Sequence, residues 1–483
     1  MPHLGQRTTR AALFSGLALA GTTPAAAQTA EDYQALRRKV EQLQQQLDAV
    51  QRALDAARPP VQPTPVAAAA APAAAVPAPA TRPSSQDPLP RPAGTPSITA
   101  QGGTSSVPSG YGFRIGDTSF RIAGFVKGDL IFSRYGNGDT ATNPLGRELS
   151  LPQSIPVGGR RSGILADASA KQSRIAFQTA TPVGGQTLTT LIEADFQVAP
   201  AVSGGERALN PYSFGLRRAV AGYGGFAMGQ DWSNFQYVAA LPETADFVGV
   251  TDGTVLVRQM LLRYSRPIGG GWTASASIEN PETVSAMAGA TALSDNDDDS
   301  IPDLTGQLLW TGKGASLSVT GLFRSMRVDP ATARPAVTAQ GYGISLAGIA
   351  PLPTGKGDDV RFMMTGGRGI GRYVGVNVAP DVVYEMANDR LVPVPLIAGF
   401  AGMRHFWTGT LRSTWMGSFQ RIWNPASASP LSTRQVWDTA INLFLSPLPR
   451  LDMGVEARLS HRELTNGATG TLERLHFTVK QGF

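Results

Sequence analysis

Residues 451–460 read LDMGVEARLS, and apolar and polar positions alternate along this stretch. One face carries Leu451, Met453, Val455, Ala457 and Leu459, and the other carries Asp452, Gly454, Glu456, Arg458 and Ser460. A period of two residues predicts a β-strand. The polar face holds charges of both signs, which a dry protein core does not tolerate unpaired. The stretch therefore predicts a strand with one face toward lipid and the other toward a water-filled lumen.

The same alternation recurs along the chain after Tyr111. It is clearest at residues 120–133, 272–279, 316–324, 411–420 and 474–483. Segments of about 9–12 residues are long enough to cross a bilayer at a tilt, whereas several strands of a soluble sandwich would be shorter. The repetition favours a membrane barrel over a soluble β-sandwich.

The connections between these segments alternate in length. The short ones are residues 182–185, 223–225, 267–271, 311–314, 351–358, 408–409 and 446–450. The long ones lie around residues 134–171, 198–212, 233–256, 281–302, 327–338, 368–396, 422–434 and 462–471. Short periplasmic turns and long outer loops are typical of bacterial barrels. The sequence predicts an all-β fold at residues 109–483, a transmembrane antiparallel β-barrel of about 16 strands.

The N-terminus predicts an exported protein. Arg7 and Arg10 precede the apolar run at residues 11–20, and three alanines at residues 25–27 offer a small-residue cleavage site. This pattern indicates a secretory signal peptide at residues 1–27. The expected location is the outer membrane of a Gram-negative cell.

Two further segments separate the signal peptide from the barrel. Apolar residues spaced three and four apart occupy heptad positions a and d, namely Tyr33, Leu36, Val40, Leu43, Leu47, Val50 and Leu54. Such a narrow seam on a short helix predicts a periplasmic coiled coil at residues 28–57 rather than a lone amphipathic helix. Residues 58–108 are rich in Pro and Ala, which predicts a semi-rigid, solvated linker.

Composition and histidine content argue against several other functions. The chain has 483 residues, a formal net charge of +6 and no cysteine. The small, dispersed basic excess gives no reason to expect a nucleic-acid partner, and thiolate metal sites are ruled out. Beyond residue 27 the histidines are His405, His461 and His476, far apart in sequence. We expect no enzyme and no cofactor, and Ser460 beside His461 is the one pair that a barrel hydrolase could use.

The last predicted strand, which ends at Phe483, indicates how the protein is assembled. Leu475, Phe477, Val479 and Gln481 alternate with charged or polar residues up to Phe483. A terminal strand that ends on phenylalanine resembles the outer-membrane assembly signal. The expected partners are therefore the assembly machinery, through Phe483, and the lipid bilayer with its lipopolysaccharide.

Several short motifs, taken in order, resemble the DcaP-like porin family. They are GFVKGD at residues 124–129, KQSR at 171–174, LRRA at 216–219, GQDWS at 229–233, PETADF at 242–247, VRQ at 257–259, ENPET at 279–283, GIGRY at 369–373 and SPLPRLD at 446–452. The resemblance spans roughly residues 111–483. It implies a homotrimeric, 16-stranded porin with a periplasmic coiled coil that favours small anionic solutes such as dicarboxylates.

Charged residues at inward strand positions are the candidate pore lining. They are Arg121, Lys127, Asp129, Arg217, Arg263, Arg324, Arg412, Arg458, Arg474, Glu193, Asp195, Glu279 and Glu456. Guanidinium groups on one wall would bind carboxylates and raise the local anion concentration. Alternatively, the arginines pair with the lumen carboxylates and neutralise them. The sequence leaves both interpretations open.

Two groups of loop acids are further candidates. In many trimeric porins the loop after the fifth strand folds inward, and the resemblance implies that Glu243 and Asp246, with Asp252 nearby, face arginines across a constriction. A solvated outer loop is the alternative. Asp295, Asp297 and Asp299 could offer oxygen ligands to Ca²⁺, but the glycine and closing glutamate of an EF-hand are missing. A solvated acidic loop is the favoured interpretation, and no metal is expected.

The sequence as a whole predicts a passive diffusion channel for small hydrophilic, anionic solutes. One alternative is a phosphate-type porin, which would favour lysine, and the chain has few lysines. A second is an envelope tether whose coiled coil matters more than transport. The third is an outer-membrane hydrolase.

Overall fold

The computed structural model describes residues 111–138, 144–197, 212–330, 334–355 and 357–483. The predicted signal peptide, coiled coil and linker lie outside these residues. Within the described ranges we find no helix with the length and apolar character needed to span a bilayer.

The described residues form 22 β-strands, and 16 of them make the wall of a closed antiparallel barrel. The wall strands are β2 (Thr118–Tyr135), β4 (Arg174–Val183), β5 (Gln186–Asp195), β6 (Gly215–Tyr223), β7 (Phe226–Trp232), β8 (Arg258–Gly269), β9 (Trp272–Glu279), β12 (Asp303–Gly312), β13 (Ala315–Val328), β14 (Val337–Pro351), β15 (Asp359–Arg368), β18 (Pro395–Phe406), β19 (Leu411–Ile422), β20 (Thr433–Leu448), β21 (Leu451–Leu464) and β22 (Thr469–Gly482). The short strands β1 (Tyr111–Ile115) and β3 (Leu165–Ser169) both pair with β2. The predicted all-β, 16-stranded barrel is confirmed.

The barrel closes at β2, which pairs with both β22 and β4. At this closure the amide of Phe483 donates to the carbonyl oxygen of Gly124 at 3.0 Å. A Cβ on Gly124 would lie 2.2 Å from the carbonyl oxygen of Arg174. Glycine is therefore required at residue 124 for the strands to approach this closely.

The two faces of the wall follow the alternation of the sequence. On β21, Met453 and Leu459 point outward and are exposed, whereas Glu456 and Arg458 point inward and are buried. Trp415 on β19 is 59% exposed on the outer face, and its inward neighbour Thr414 is 1% exposed. The apolar outer face suits lipid, and the charged inner face lines the lumen.

Connections alternate in length around the barrel, with short turns such as residues 184–185 and 224–225 at one end. The connection between β21 and β22 differs from expectation. It covers residues 465–468 only, because polar residues such as His461 and Glu463 continue the strand ladder by pairing with β22. Strands therefore extend beyond the apolar band on this side.

Two long connections pair with each other at the end opposite the short turns. A four-stranded sheet contains β10 (Val284–Met287), β11 (Leu293–Asp295), β16 (Val382–Glu385) and β17 (Arg390–Pro393). In this sheet β10 and β16 run parallel. The first long connection carries the short helix α1 (Pro144–Glu148) and a 3-10 turn at Pro152–Ser154.

Candidate functional site: the barrel lumen

Residues 233–257, the connection after β7, run inside the barrel; we call this segment the inner loop. Its 3-10 turn Thr251–Gly253 packs against β18, β19 and β20. A Cβ on Gly253 would lie 2.3 Å from the carbonyl oxygen of Gly399, so only glycine allows this contact. Asn442 donates to the Glu243 carbonyl at 2.8 Å, and Lys127 donates to the Ala245 carbonyl at 2.7 Å. The inner loop is thus held against the wall from within.

Arg458 lies at the centre of this contact. Its guanidinium donates to Asp438 Oδ1 at 2.7 Å and to Glu456 Oε1 at 2.6 Å, and also to the Gly249 carbonyl. Glu456 in turn accepts from the Ala245 amide at 2.9 Å. Arg458 is 5% exposed, so this predicted pore residue lies beneath the inner loop and joins the loop to β20 and β21.

Asp252 of the inner loop is fully buried beside the same cluster. The Ser418 hydroxyl donates to its Oδ1 at 2.5 Å, while Oδ2 has no hydrogen-bond partner among the described residues. Burial, followed by the charge of Asp438, raises the pKa of Asp252 to about 7. This carboxyl is therefore poised to titrate near neutral pH.

Asp246 behaves differently although it belongs to the same loop. Its oxygens accept from the Ser150 amide at 2.8 Å and from the Phe247 amide at 2.6 Å. Burial acts to raise the pKa of Asp246, but the charges of Arg458 and Arg474 outweigh burial, so the net shift is downward. Asp246 is a stably ionised anchor between the inner loop and residue 150 of the first long connection.

The Glu243 carboxylate is in direct contact with an arginine and does not face the arginines across open space. Arg412 binds it through two hydrogen bonds, from Nε at 2.7 Å and from Nη2 at 2.6 Å, and also pairs with Asp452 at 3.0 Å. The Arg412 guanidinium group thus binds carboxylates of the protein itself. The arrangement implied by the family resemblance, with Glu243 facing arginines across a constriction, is replaced here by direct contact.

A second wall of the lumen is basic; we call it the basic wall. Its arginines are Arg174 on β4, Arg217 and Arg218 on β6, and Arg258 and Arg263 on β8. Its carboxylates are Glu193 and Asp195 on β5 and Asp231 on β7. Five arginines against three carboxylates leave an excess of positive charge on this side of the lumen.

The basic-wall arginines differ in how fully they are paired. Arg217 binds Glu193 at 2.9 Å and Asp195 at 2.6 Å, and Arg218 and Arg263 share Asp231 at 2.6 and 3.1 Å. Arg258 has no carboxylate within 4.0 Å in the described part of the chain.

Arg258 instead stacks on Trp232, with its guanidinium 4.9 Å from the ring centre. Its Nη1 lacks a hydrogen-bond partner among the described residues. Both interpretations of the arginines thus apply, but to different residues: most are paired within the protein, and Arg258 is not.

The remaining predicted lumen residues lie apart from the basic wall. Arg324 pairs with Asp303 at 3.3 Å and with Asp381 at 3.0 Å, which joins the wall to residues 369–394. Asp129 binds Lys127 at 3.0 Å and His476 at 2.9 Å.

Three further predicted lumen residues lie outside the basic wall. Glu279 accepts from the Asn234 amide at 2.9 Å, and Arg474 donates to Ser133 at 3.0 Å. Arg121 is half-buried on β2.

A family comparison decides the identity of this architecture. The model of the porin subfamily matches residues 110–351, which is half of the chain. The chain belongs to the porin subfamily. It is an outer-membrane porin channel, as the barrel and its charged lumen indicate.

Solved structures of other outer-membrane proteins resemble this porin to different degrees. The outer membrane channel DcaP of Acinetobacter baumannii is 19% identical in sequence, covers 78% of this chain and 100% of its own, and gives a TM-score of 0.62. An anion-selective porin from Comamonas acidovorans is 11% identical, with 76% and 100% coverage and a TM-score of 0.47. OmpT of Vibrio cholerae is 8% identical, with 77% and 100% coverage and a TM-score of 0.47. No curated protein matches the sequence.

Two alternative sites that the sequence offered, and that we did not favour, do not assemble among the described residues of this porin. Ser460 points inward and donates to Asp438, whereas His461 points outward and stacks on Trp437 with ring centres 5.2 Å apart. Adjacent residues of one strand face opposite sides, so they cannot form a catalytic pair.

The acidic loop with Asp295, Asp297 and Asp299 likewise does not form a set of metal ligands among the described residues. Within the described residues, no three His, Asp or Glu side chains are placed to hold a metal ion. Asp299 accepts from the Thr283 hydroxyl at 2.9 Å and from the Arg327 amide at 2.8 Å. Asp295 and Asp297 lie exposed in the same connection. Asp299 therefore organises neighbouring backbone in this porin.

Sequence reasoning missed several lumen residues of this porin, above all Arg174, Asp231, Arg258 and Asp438. Arg174 and Arg258 were present in motifs of the family resemblance but were not assigned to the lumen. Both stand at the first residue of a strand, where alternation has too few positions to indicate a face. Counting the period of two backward from Arg263 through β8 assigns Arg258 to the outer face, because the two residues are an odd number of positions apart, whereas the structure places Arg258 beside Trp232.

Proposed function

We propose that this porin passes small anionic solutes in preference to cations. The observation that carries the proposal is the basic wall, where five arginines meet three carboxylates and Arg258 has no acidic partner within 4.0 Å among the described residues. A low-dielectric wall focuses such an excess toward the lumen and raises the local anion concentration. Dicarboxylates are the proposed solutes, since guanidinium groups bind carboxylates in a bidentate manner.

The proposal is tested by reversal potentials in planar bilayers. In a KCl gradient at low salt, the unmodified porin should be anion-selective. Arg258→Ser combined with Arg263→Ser should shift the reversal potential toward cations, because both changes remove charge from the basic wall. The shift should shrink at 1 M salt, where the screening length falls from about 10 Å at 0.1 M to about 3 Å.

The matched control is Arg266→Ser on the same strand, where the side chain is exposed on the outer face. It should leave the reversal potential unchanged. A pore that is cation-selective at low salt before any substitution would disprove anion preference while leaving the barrel fold intact.

The rival functions find less support. A phosphate-type pore would place lysines in the lumen, but Lys127 is paired with Asp129 and bound to the inner loop. A hydrolase would need a catalytic pair, and Ser460 and His461 face opposite sides of the wall. We therefore propose that the chain is a channel without catalytic activity.

The assembly is also a proposal. We infer a homotrimer with a periplasmic coiled coil at residues 28–57, supported by the heptad pattern and the family resemblance. A peptide of these residues should self-associate, and Leu43→Asp with Leu47→Asp should abolish association because charges in the seam cannot be desolvated. Sedimentation equilibrium measures the outcome. A monomeric unmodified peptide at high micromolar concentration would rule out the coiled coil.

A further inference from the structure

A cavity of about 300 Å³ lies in the lumen beside the basic wall. It is bounded by the first long connection, the inner loop and residues 372–377 of the connection after β15. All three segments belong to the end of the barrel with long connections, which is the outer end of a bacterial barrel.

Two guanidinium groups that line the cavity have N–H donors without a hydrogen-bond partner among the described residues. The Nη1 atoms of Arg258 and Arg372 are buried and have no hydrogen-bond partner among the described residues. The carboxylate nearest to Arg372 is Asp303, at 3.8 Å, which is too long for a hydrogen bond. Buried donors without partners are rare in native proteins, so these two atoms mark a place where a ligand or water completes the bonding.

The carboxylate that lines the cavity already has hydrogen-bond donors within the protein. Asp246 is the one carboxylate of the lining, and its two oxygens accept backbone amides. The negative charge of Asp246 is compensated mainly by Arg458 and Arg474 and not by Arg258. The local imbalance thus favours a ligand with one negative charge.

The rest of the lining is mostly apolar, and Thr251 and Asn377 are its other polar residues. Leu145, Leu149 and Leu151 come from the first long connection, and Val248 and Leu256 come from the inner loop. Trp232 adds an aromatic face, and its ring also contacts the guanidinium groups of Arg258 at 4.9 Å and of Arg217 at 5.9 Å. A ligand that fits must place an apolar body against these side chains, because they offer no partner for a second polar end.

We propose that this cavity binds a small organic monocarboxylate with a flat apolar body, held by Arg258 and Arg372 and packed beside Trp232. The inference rests on the proposed anion preference of the pore, and it assigns this cavity to a different class of anion from the dicarboxylates proposed to pass through the pore. A small dicarboxylate held by the two arginines through one carboxylate would place its second carboxylate against the leucines, where an ionised group without a partner is costly to bury. An inorganic anion would leave the apolar walls in contact with water.

The test is block of single-channel current in the full-length porin, with benzoate or succinate added on the side of the long connections. Benzoate should block at lower concentration than succinate. Arg258→Gln should raise the half-blocking concentration of benzoate by about tenfold, the effect of one lost charged hydrogen bond. Arg372→Gln, which lies in a connection and not in the wall, should do the same. Arg266→Gln, exposed on the outer face, is the matched control and should change nothing.

A further variant isolates the apolar wall. Leu145→Gln should weaken benzoate block while leaving succinate block unchanged, because only the apolar body of benzoate contacts this wall. Equal changes for both anions would contradict the proposal.

Other outcomes separate the cavity from the anion preference of the pore. Block by succinate at or below the benzoate concentration, or benzoate block that survives both arginine substitutions, would overturn the cavity proposal even in an anion-selective pore. Arginine-dependent benzoate block in a cation-selective pore would support the cavity and refute the proposed function instead.

Discussion

Arg458→Met is expected to release the inner loop from the barrel wall. The substitution leaves Asp438 and Glu456 buried with no cation in contact, although each is now within 2.7 Å of the guanidinium. Removing one partner of a buried ion pair typically costs about 3–5 kcal/mol. The hydrogen bond to the Gly249 carbonyl is lost as well. Because these contacts join the loop to the wall, we expect the loop to detach before the barrel unfolds.

The absence of cysteine in the chain makes release easy to measure. Val250→Cys introduces one thiol at a loop position that is 0% exposed. Its labelling by a maleimide should be slow in the otherwise unmodified protein and fast with Arg458→Met. Arg434→Met, which breaks the partly exposed ion pair between Arg434 on β20 and Glu463 on β21, should leave labelling slow.

A compensated variant distinguishes charge from packing. Combining Arg458→Met with Asp438→Asn and Glu456→Gln removes the uncompensated negative charges and should restore slow labelling in part. Slow labelling in the single Arg458→Met variant would show that the ion pairs do not hold the loop.

Docking of the inner loop is also expected to weaken as pH rises through neutrality. Asp252 has its pKa raised to about 7 from a reference value of 3.8 when it is buried against the wall. A raised carboxyl pKa means that the neutral form is preferred in the docked state. Its contribution to docking is complete below the reference value and is lost as pH climbs through about 7.

The groups that face Asp252 explain the direction. Ser418 on β19 donates to one oxygen, and Asp438 on β20 opposes its ionisation, while Arg458 on β21 favours it. Asp438 exerts the larger effect of these two charges. Ionised Asp252 therefore adds a negative charge to a cluster where Arg458 is already paired with Asp438 and Glu456.

Labelling of Val250→Cys should accelerate between pH 5.5 and 8.5 beyond the change expected for the thiol itself. Asp252→Asn cannot ionise and should abolish that excess, so the ratio of labelling rates in the two backgrounds cancels the titration of the thiol. Glu243→Gln, a loop carboxyl bound to Arg412 away from this cluster, should keep the excess. A ratio that stays constant with pH would refute the role of Asp252.

These two expectations revise how the charged residues of the lumen are understood. From the sequence, Arg458 belonged to the same group as Arg217 and Arg263, all inward and all basic. The structure separates them: Arg458 lies beneath the inner loop, and the other two lie on the basic wall. A selectivity experiment that neutralised all three together would mix loop release with loss of surface charge.

The sequence by itself determined the strands, their faces and the number of wall strands. Outward positions within the apolar band must be apolar because they meet lipid, and inward positions can be polar because they meet water or another charge. That requirement acts on every second residue, so it can be read from a stretch such as residues 451–460 without knowing the neighbouring strand.

Only the tertiary structure decided which charges remain unpaired. Arg217 finds Glu193 and Asp195 because β5 lies beside β6, while Arg258 stands next to Trp232 with no acid in reach. The path of the inner loop was equally undetermined, since Asp252 meets Ser418 across 166 residues of chain. Pairing energies depend on distances of a few ångströms between distant segments, and alternation within one strand carries no information about those distances.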